Sequence, residues 1–379
     1  MIRDNLNTYH IKITTLSPIH IGTGEVYEPS NFVIDSGKLY QFDEVLFYKN
    51  LTPEDKEKFN EIIGDWLNIL DFYRSKVEEA KSVAFFNCPV TREIENNYNR
   101  VTNKDGTRNT NQFQIHKTFK NPNTHQPIIL GSSLKGMFNT IFKTYPPKSS
   151  NERRQRLILS DATLLDGGVE IGVANRIHKT PGKDAKNKIP QMLEVIKVNS
   201  TFELTVKTEY SFSEIQNMIR NYYNARKTSM VRNNRDGFVA RVGKYCGKEY
   251  MVDDIKNGVN SFGKKVATHT LYEVSNRQFG WIEIEDIIAK EKRVEQEKNA
   301  EQDRLNKMTL LEKLIEEYGD VTKLIQAMQK GEIKDFDKVK HELAQEIKKE
   351  LKKTPKTWDK AKKKALDRRN YIEGILSNN

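Results

Sequence analysis

Three short stretches of this sequence combine glycine with groups able to meet an anion. The first is His20-Ile21-Gly22-Thr23-Gly24, where two glycines spaced by one residue let the backbone come close to a ligand. A plain turn fits the same residues equally well. The second is Gly131-Ser132-Ser133-Leu134-Lys135-Gly136. An apolar strand runs into Gly131, Ser132 or Ser133 would cap a helix, and the unpaired N–H groups at its start would favour an anion. Lys135 falls in the first turn, where a cation opposes the helix dipole. That placement makes sense if an external phosphate supplies the negative charge. The competing reading is an ordinary strand-to-helix junction with a solvent-facing lysine. The third stretch sets Gly237, Gly243 and Gly247 among Arg232, Arg235, Arg241, Lys244 and Tyr245. Cations and an aromatic beside permissive glycines suit a nucleic-acid backbone with occasional base stacking. A basic surface loop is the plainer alternative.

Other chemistries find little support. None of the seven histidines stands in HExxH, and neither Cys88 nor Cys246 belongs to a metal-binding pair, so no metal or cofactor is expected. There is no Walker loop and no GxSxG elbow. His20 or His178 could act as a general base toward an RNA 2′-hydroxyl, because histidine titrates near neutrality. A structural role is the more common fate of a lone histidine.

The chain has 379 residues and a formal net charge of +11. It contains no run of about 18 apolar residues that would cross a membrane. Two cysteines point to a reducing compartment, and the N-terminus lacks a secretory leader, so a cytoplasmic protein is expected. The charge is uneven: residues 171–250 carry +8 and residues 351–370 carry +7, leaving about −4 for the rest. A polyanion is therefore the first partner to consider.

The elements that must position these residues read as α+β. Residues 9–16 alternate as a strand, and 32–42 form a hairpin turning at Ser36-Gly37. Thr52-Pro53-Glu54 opens a helix whose period runs toward residue 84. Residues 91–127, rich in Asn, Thr and charge, read as a polar arm inserted in the body. A helix follows Gly131, strands follow at 157–165 and 169–177, and 192–210 reads as a strand pair turning near Asn199-Ser200. A helix runs from Ser213, the 231–250 segment reads as a loop, and 266–275 as a last strand. Past residue 280 the pattern is helical, with breaks near Gly319, Gly331 and Pro355. The expected division is an α+β body at 1–280 and a helical domain at 281–379.

In order, LSPIHIGTGE, ILGSSLKGMFNTIF, RLILSDATLL and FVARVGKYCG resemble the RAMP superfamily of CRISPR proteins. Length and the helical tail are most similar to the fifth-subunit family of the type III-A (Csm) effector. The resemblance implies a ferredoxin-like (RRM-like) core that binds CRISPR RNA. It also implies a role capping the 3′ end of an effector filament, contributing to crRNA maturation and antiviral defence. Expected partners are the guide, target RNA indirectly, neighbouring Csm backbone and small helical subunits, and host nucleases, with no membrane. Ser132, Ser133, Lys135 and Gly136 match the phosphate-contacting helix start; His20, Gly22 and Gly24 match the first loop; Gly243, Lys244 and Gly247 match the glycine-rich loop. Where the repeating backbone subunit carries its cleaving aspartate, this chain has Ser30, with Glu28 two positions away. The resemblance therefore implies a binding subunit that does not cut. The alternative is a metal-independent RAMP endoribonuclease using His20 or His178 with Lys135.

Overall fold

The structure, a computed structural model, describes residues 6–100, 113–144, 157–178, 180, 182–183, 190–225, 237–247 and 268–377. They form two compact units, Met1–Lys290 and Glu291–Asn379. In the body, alternation buries Ile11 and Ile13 on one face of β1 (Asn7–Thr15). After Pro18 the chain enters β2 (Gly22–Tyr27), then the hairpin β3 (Phe32–Asp35) and β4 (Lys38–Phe42). Ser36 and Gly37 both adopt positive φ, as a tight two-residue turn requires.

Four short helices follow: α1 (Glu44–Asn50), α2 (Pro53–Ile62), α3 (Trp66–Ser75) and α4 (Val77–Ser82). The single helix expected here breaks because Asp65 accepts from the Leu67 and Asn68 amides and starts a new one. Next come β5 (Ala84–Pro89), α5 (Arg92–Arg100) and β6 (Ile115–Thr118). The expected polar arm is thus partly built into the body. Ile94 and Tyr98, one helical turn apart, are buried in its core, and β6 is an interior strand. Residues 101–112 of that arm lie outside the described residues.

The body continues with β7 (Ile128–Ile129), α6 (Gly131–Thr144), β8 (Leu157–Leu159), β9 (Ala162–Asp166), β10 (Val169–His178), β11 (Gln191–Ile196) and β12 (Thr201–Thr208). It closes with α7 (Phe212–Ala225), β13 (Gly237–Arg241), β14 (Thr268–Tyr272), β15 (Arg277–Gln278) and β16 (Trp281–Asp286). Two of these correct the expectations. Residues 237–241 are a fully buried strand, not loop, because Phe238, Val239 and Ala240 supply an apolar run. Trp281–Asp286 is a strand between β1 and β13, so the body extends past residue 280.

The described strands form three sheets. One runs β13-β16-β1-β12-β9-β7, with β8 also on β12, and every pairing in it is antiparallel. Both α6 and α7 pack on it: Phe138, Ile141 and Phe142 share one core with Ile215, Ile219, Phe202 and Ile282. Each such fully buried side chain contributes roughly 1.5–3 kcal/mol. The second sheet runs β15-β14-β10-β11-β6-β2, and the third is β3-β4-β5. The mixed α+β class read from the sequence is the class observed.

The second unit is helical. The long α8 (Ile287–Lys307) leads into α9 (Leu310–Tyr318), α10 (Val321–Lys330), α11 (Phe336–Lys352) and α12 (Lys364–Ser377). Thr309 and Glu312 form a reciprocal capping box, and Gly319 and Gly331 end their helices in positive φ. Around the expected break at Pro355, α11 ends at Lys352, and Trp358 in the connecting turns is buried in this unit's core.

Candidate nucleic-acid interface

The first glycine loop is held from beneath by a histidine. After Pro18 the backbone of Ile19 pairs with that of Ile196, which turns His20 inward to 1% exposure. Its Nδ1 lies 2.8 Å from the Glu194 carbonyl oxygen. A carbonyl can only accept, so Nδ1 carries the hydrogen and Nε2 is bare. Burial depresses the His20 pKa to about 4, so the ring is neutral under ordinary conditions. A side chain at Gly22 would place its Cβ 3.2 Å from that bare nitrogen.

The same Glu194 ties down the neighbouring strand. Its fully buried carboxylate accepts from the Tyr27 hydroxyl (2.8 Å), the Thr118 amide (3.1 Å) and the Lys120 ammonium (2.7 Å). This is a buried ion pair with its lone pairs satisfied, the arrangement in which such a pair can persist. Burial, with the carboxylate beside it, pushes the Tyr27 hydroxyl well up.

The third glycine loop lies directly on the first. Gly243 has φ +91°, and a Cβ there would meet the His20 carbonyl oxygen at 2.7 Å, so both conformation and space require glycine. The next amide, of Lys244, donates to that carbonyl at 2.9 Å. Lys244 itself is exposed, and among the described residues no carboxylate pairs with it. Arg241, read from sequence as a phosphate contact, is 4% exposed. Its guanidinium donates to the Phe279 carbonyl at 2.6 and 3.0 Å and lies over Trp281 at 4.8 Å. Tyr245 donates to Gln191 Oε1, and its ring stands 6.1 Å from that of His20.

The helix start departs most from expectation. Neither Ser132 nor Ser133 is the cap, because α6 already begins at Gly131. The Gly131 amide donates at 2.7 Å to Asp161 Oδ1, a carboxylate from the turn before β9. Ser133 and Leu134 both donate to the Leu130 carbonyl. Gly131 is needed because a Cβ there would meet the Ser160 carbonyl oxygen at 2.7 Å; the close approach is to protein backbone, not to a ligand. The negative charge expected from outside is thus partly supplied from within. Gly136 is different: a Cβ there would meet nothing within 4 Å.

These three loops converge. Gly22, Gly24, Ser133, Gly136, Gly243 and Lys244 line one open groove of about 680 Å³, floored by Met137, Ile141, Tyr222 and Tyr223. His20 lies just under it, Lys135 and Ser132 are exposed on α6, and Gly247 ends the third loop in positive φ. Arg232 and Arg235 lie outside the described residues. The sequence reading missed Asp161, although it stands inside the SDA motif, and the two tyrosines of α7. Among the described residues, no three His, Cys, Asp or Glu side chains are grouped to hold a metal ion. No helix among them is long and apolar enough to cross a membrane.

No protein-family model matches the chain. Over 160 residues, 40% of its length, it is 28% identical to the CRISPR system Cms protein Csm5 of Streptococcus thermophilus. That match covers 42% of the curated relative, so the chain spans about two fifths of its length. In fold, 74% of the chain superposes on the whole of a chain in the cryo-EM structure of a Csm-crRNA-target RNA ternary complex of a type III-A CRISPR-Cas system. The TM-score is 0.52 at 15% identity. The crystal structure of T. onnurineus Csm5 matches 72% of this chain and 99% of its own, at 14% identity and a TM-score of 0.46. The chain is similar in sequence to Csm5 and in fold to a chain of a type III-A Csm complex, the resemblance that its glycine motifs carried.

Proposed function

We propose that this chain is a guide-binding, non-cleaving subunit of a type III-A effector, with the groove as its seat for the RNA backbone. The observation that carries this reading is the convergence of three separate glycine-bearing segments on one groove with an exposed lysine, Lys244. Backbone that glycine keeps bare, beside a cation, is suited to phosphate, and such contacts position a strand without reading its sequence. Lys135, exposed on α6, is a second contact, and Arg241 is a support for the Gly243 loop. The body is ferredoxin-like, a reading supported by the strand order β16-β1-β12-β9, with α6 before β9 and α7 after β12. Similarity to Csm5 supports the further role of closing the filament at the guide's 3′ side. That role includes contacts to backbone and small subunits and a contribution, with host nucleases, to guide maturation.

Two observations support binding without cutting. Ser30, where the cutting subunit has aspartate, sits exposed in a turn before β3. His20 is buried, held by Glu194 and depressed in pKa, which suits a structural role.

The test is RNA binding by the full chain across a salt series. Lys244→Ala should weaken affinity for single-stranded RNA and flatten the log–log salt slope by roughly 0.7–1, the signature of one lost phosphate contact. An unchanged slope would remove Lys244 from the interface. Incubation with repeat RNA in EDTA should leave the RNA intact; site-specific cleavage lost in His20→Ala would sink the binding-only reading in favour of the endoribonuclease.

A further inference from the structure

Between β5 and the turn that joins β6 to β7 stands an aromatic pair that the RNA-backbone reading does not use. Phe85 is 49% exposed, and among the described residues it is the only phenylalanine left so open. Leaving such a ring half in water forfeits about half of the ~2 kcal/mol its full burial would contribute. Along β5 it falls on the outward face with Asn87 and Pro89, while Ala84, Phe86 and Cys88 face inward. In β5, Phe86 faces Gln41 and Ala84 faces Phe42, so Phe85 falls in a register shift without a partner on β4. Such bulges re-aim a side chain, and they concentrate near functional sites.

The ring lies beside His125. The imidazole lies 5.5 Å from Phe85 and 5.7 Å from Phe86. His125 has φ +56°, a left-handed conformation unusual for histidine. The turn around it imposes that conformation. Asn121 donates to the Gln126 carbonyl at 2.8 Å, and the His125 amide donates to the Asn121 carbonyl at 2.9 Å. The Asn121 side chain accepts from the Asn123 and Thr124 amides. Behind the pair, the Lys120 ammonium sits 3.6 Å from the Phe86 ring centroid. That ammonium is paired with the Glu194 carboxylate, which holds it in place against the ring.

The turn is tethered to two residues that line the groove. At one end Phe119 donates to the Ile21 carbonyl at 2.7 Å, and at the other the chain reaches Leu130; Ile21 and Leu130 both line the groove. Exposed Asn123 and Thr124 add polar groups beside the rings. A half-exposed aromatic surface rimmed by amide and hydroxyl groups suits the face of a nucleobase better than an aliphatic protein surface.

We propose that Phe85 and His125 form a stacking platform for one base of the single-stranded RNA as it leaves the groove. The proposal rests on the groove reading above and adds a base contact to its phosphate contacts. The test uses the full chain and single-stranded RNA carrying 2-aminopurine at each position in turn. The expected result is one position whose fluorescence is quenched on binding. Phe85→Leu should release that quench and weaken affinity roughly 5-fold or more, the usual cost of losing one stacked base. Its salt slope should stay unchanged, because no phosphate contact is lost. Phe85→Trp should restore both signals, and His125→Asn, which tolerates the left-handed backbone, should lose part of the quench. The platform is overturned if Phe85→Leu binds as the parent does with the same fluorescence pattern while Lys244→Ala still flattens the slope. It is also overturned, in favour of a protein contact, if Phe85→Leu spares RNA binding but weakens association with a neighbouring Csm subunit. Absence of salt-dependent binding by the parent chain would remove the groove and the platform together.

Discussion

Gly136 and Gly131 share a motif and have opposite reasons for being glycine. Gly131 is fixed by the protein itself, since any Cβ would strike the Ser160 carbonyl. Gly136 has open space around its Cβ position and sits inside a helix, where glycine is roughly 0.5–1 kcal/mol worse than alanine. Nothing in the fold requires it. Gly136→Ala should therefore stabilise the chain by about that amount, a rise of a few degrees at most in the unfolding midpoint. It should also weaken RNA binding, because the added methyl enters the groove. Thermal unfolding and RNA titration of one variant check both halves, and tighter folding with unchanged affinity would show that RNA does not approach there. At this scale the sequence was legible in kind: glycines and Lys244 were found, but residue type could not tell a glycine facing protein from one facing solvent. Arg241 shows the same limit. Its type suited phosphate, yet its donors belong to the Phe279 carbonyl.

Among the elements, α5 is docked by a carboxyl with an abnormal affinity for its proton. Glu273, just after β14, accepts from the Val173 amide at 2.9 Å and is hydrogen-bonded to Thr91, the residue before α5. Burial and a hydrogen bond with Glu93 raise its pKa from the ordinary 4.5 to about 7. The folded state thus holds this proton more tightly than the unfolded chain. The stability it contributes is full below about pH 4.5 and is lost as pH rises through about 7. Glu273→Gln keeps an acceptor and removes the titration, so its stability should fall less than that of the parent between about pH 5 and about pH 8. Parallel unfolding curves at the two pH values would count against the clasp. Elements themselves were read from sequence wherever periodicity was strong, as in β1, α6 and α7. They were missed where few apolar positions carried the signal. In α5, two buried side chains stand among seven polar ones, and β16 was masked by the helical texture that begins just after it.

For the whole molecule, the total charge proved less informative than its placement. Of the basic residues in 171–250, only Arg241 and Lys244 line the groove among the described residues, and one of those is internal. The +7 of residues 351–370 belongs to a separate unit, where Lys348 and Arg369 both lie 5.5 Å from the Trp358 ring. The division into two units was visible as a change of composition. The point of division was not, because strand pairing between residues 11–15 and 282–286 is a long-range fact that local texture does not carry.

The seat of Cys246 has a kinetic consequence. Its sulfur lies beneath Gly280, where an added Cβ would come within 2.5 Å of it, and it donates to the Gly243 carbonyl at 2.9 Å. Burial pushes its pKa to about 11, so the closed loop presents a protonated, largely buried thiol at the groove wall. A thiol reagent can then modify Cys246 only while the Gly243 loop is open, and the labelling rate becomes a clock for that opening. Cys88, buried in a separate core, is the internal reference. Saturating RNA should slow labelling at Cys246 severalfold and leave Cys88 unchanged, measured by mass spectrometry of the quenched chain. Equal slowing at both sites would mean that RNA stabilises the body globally, without engaging this loop.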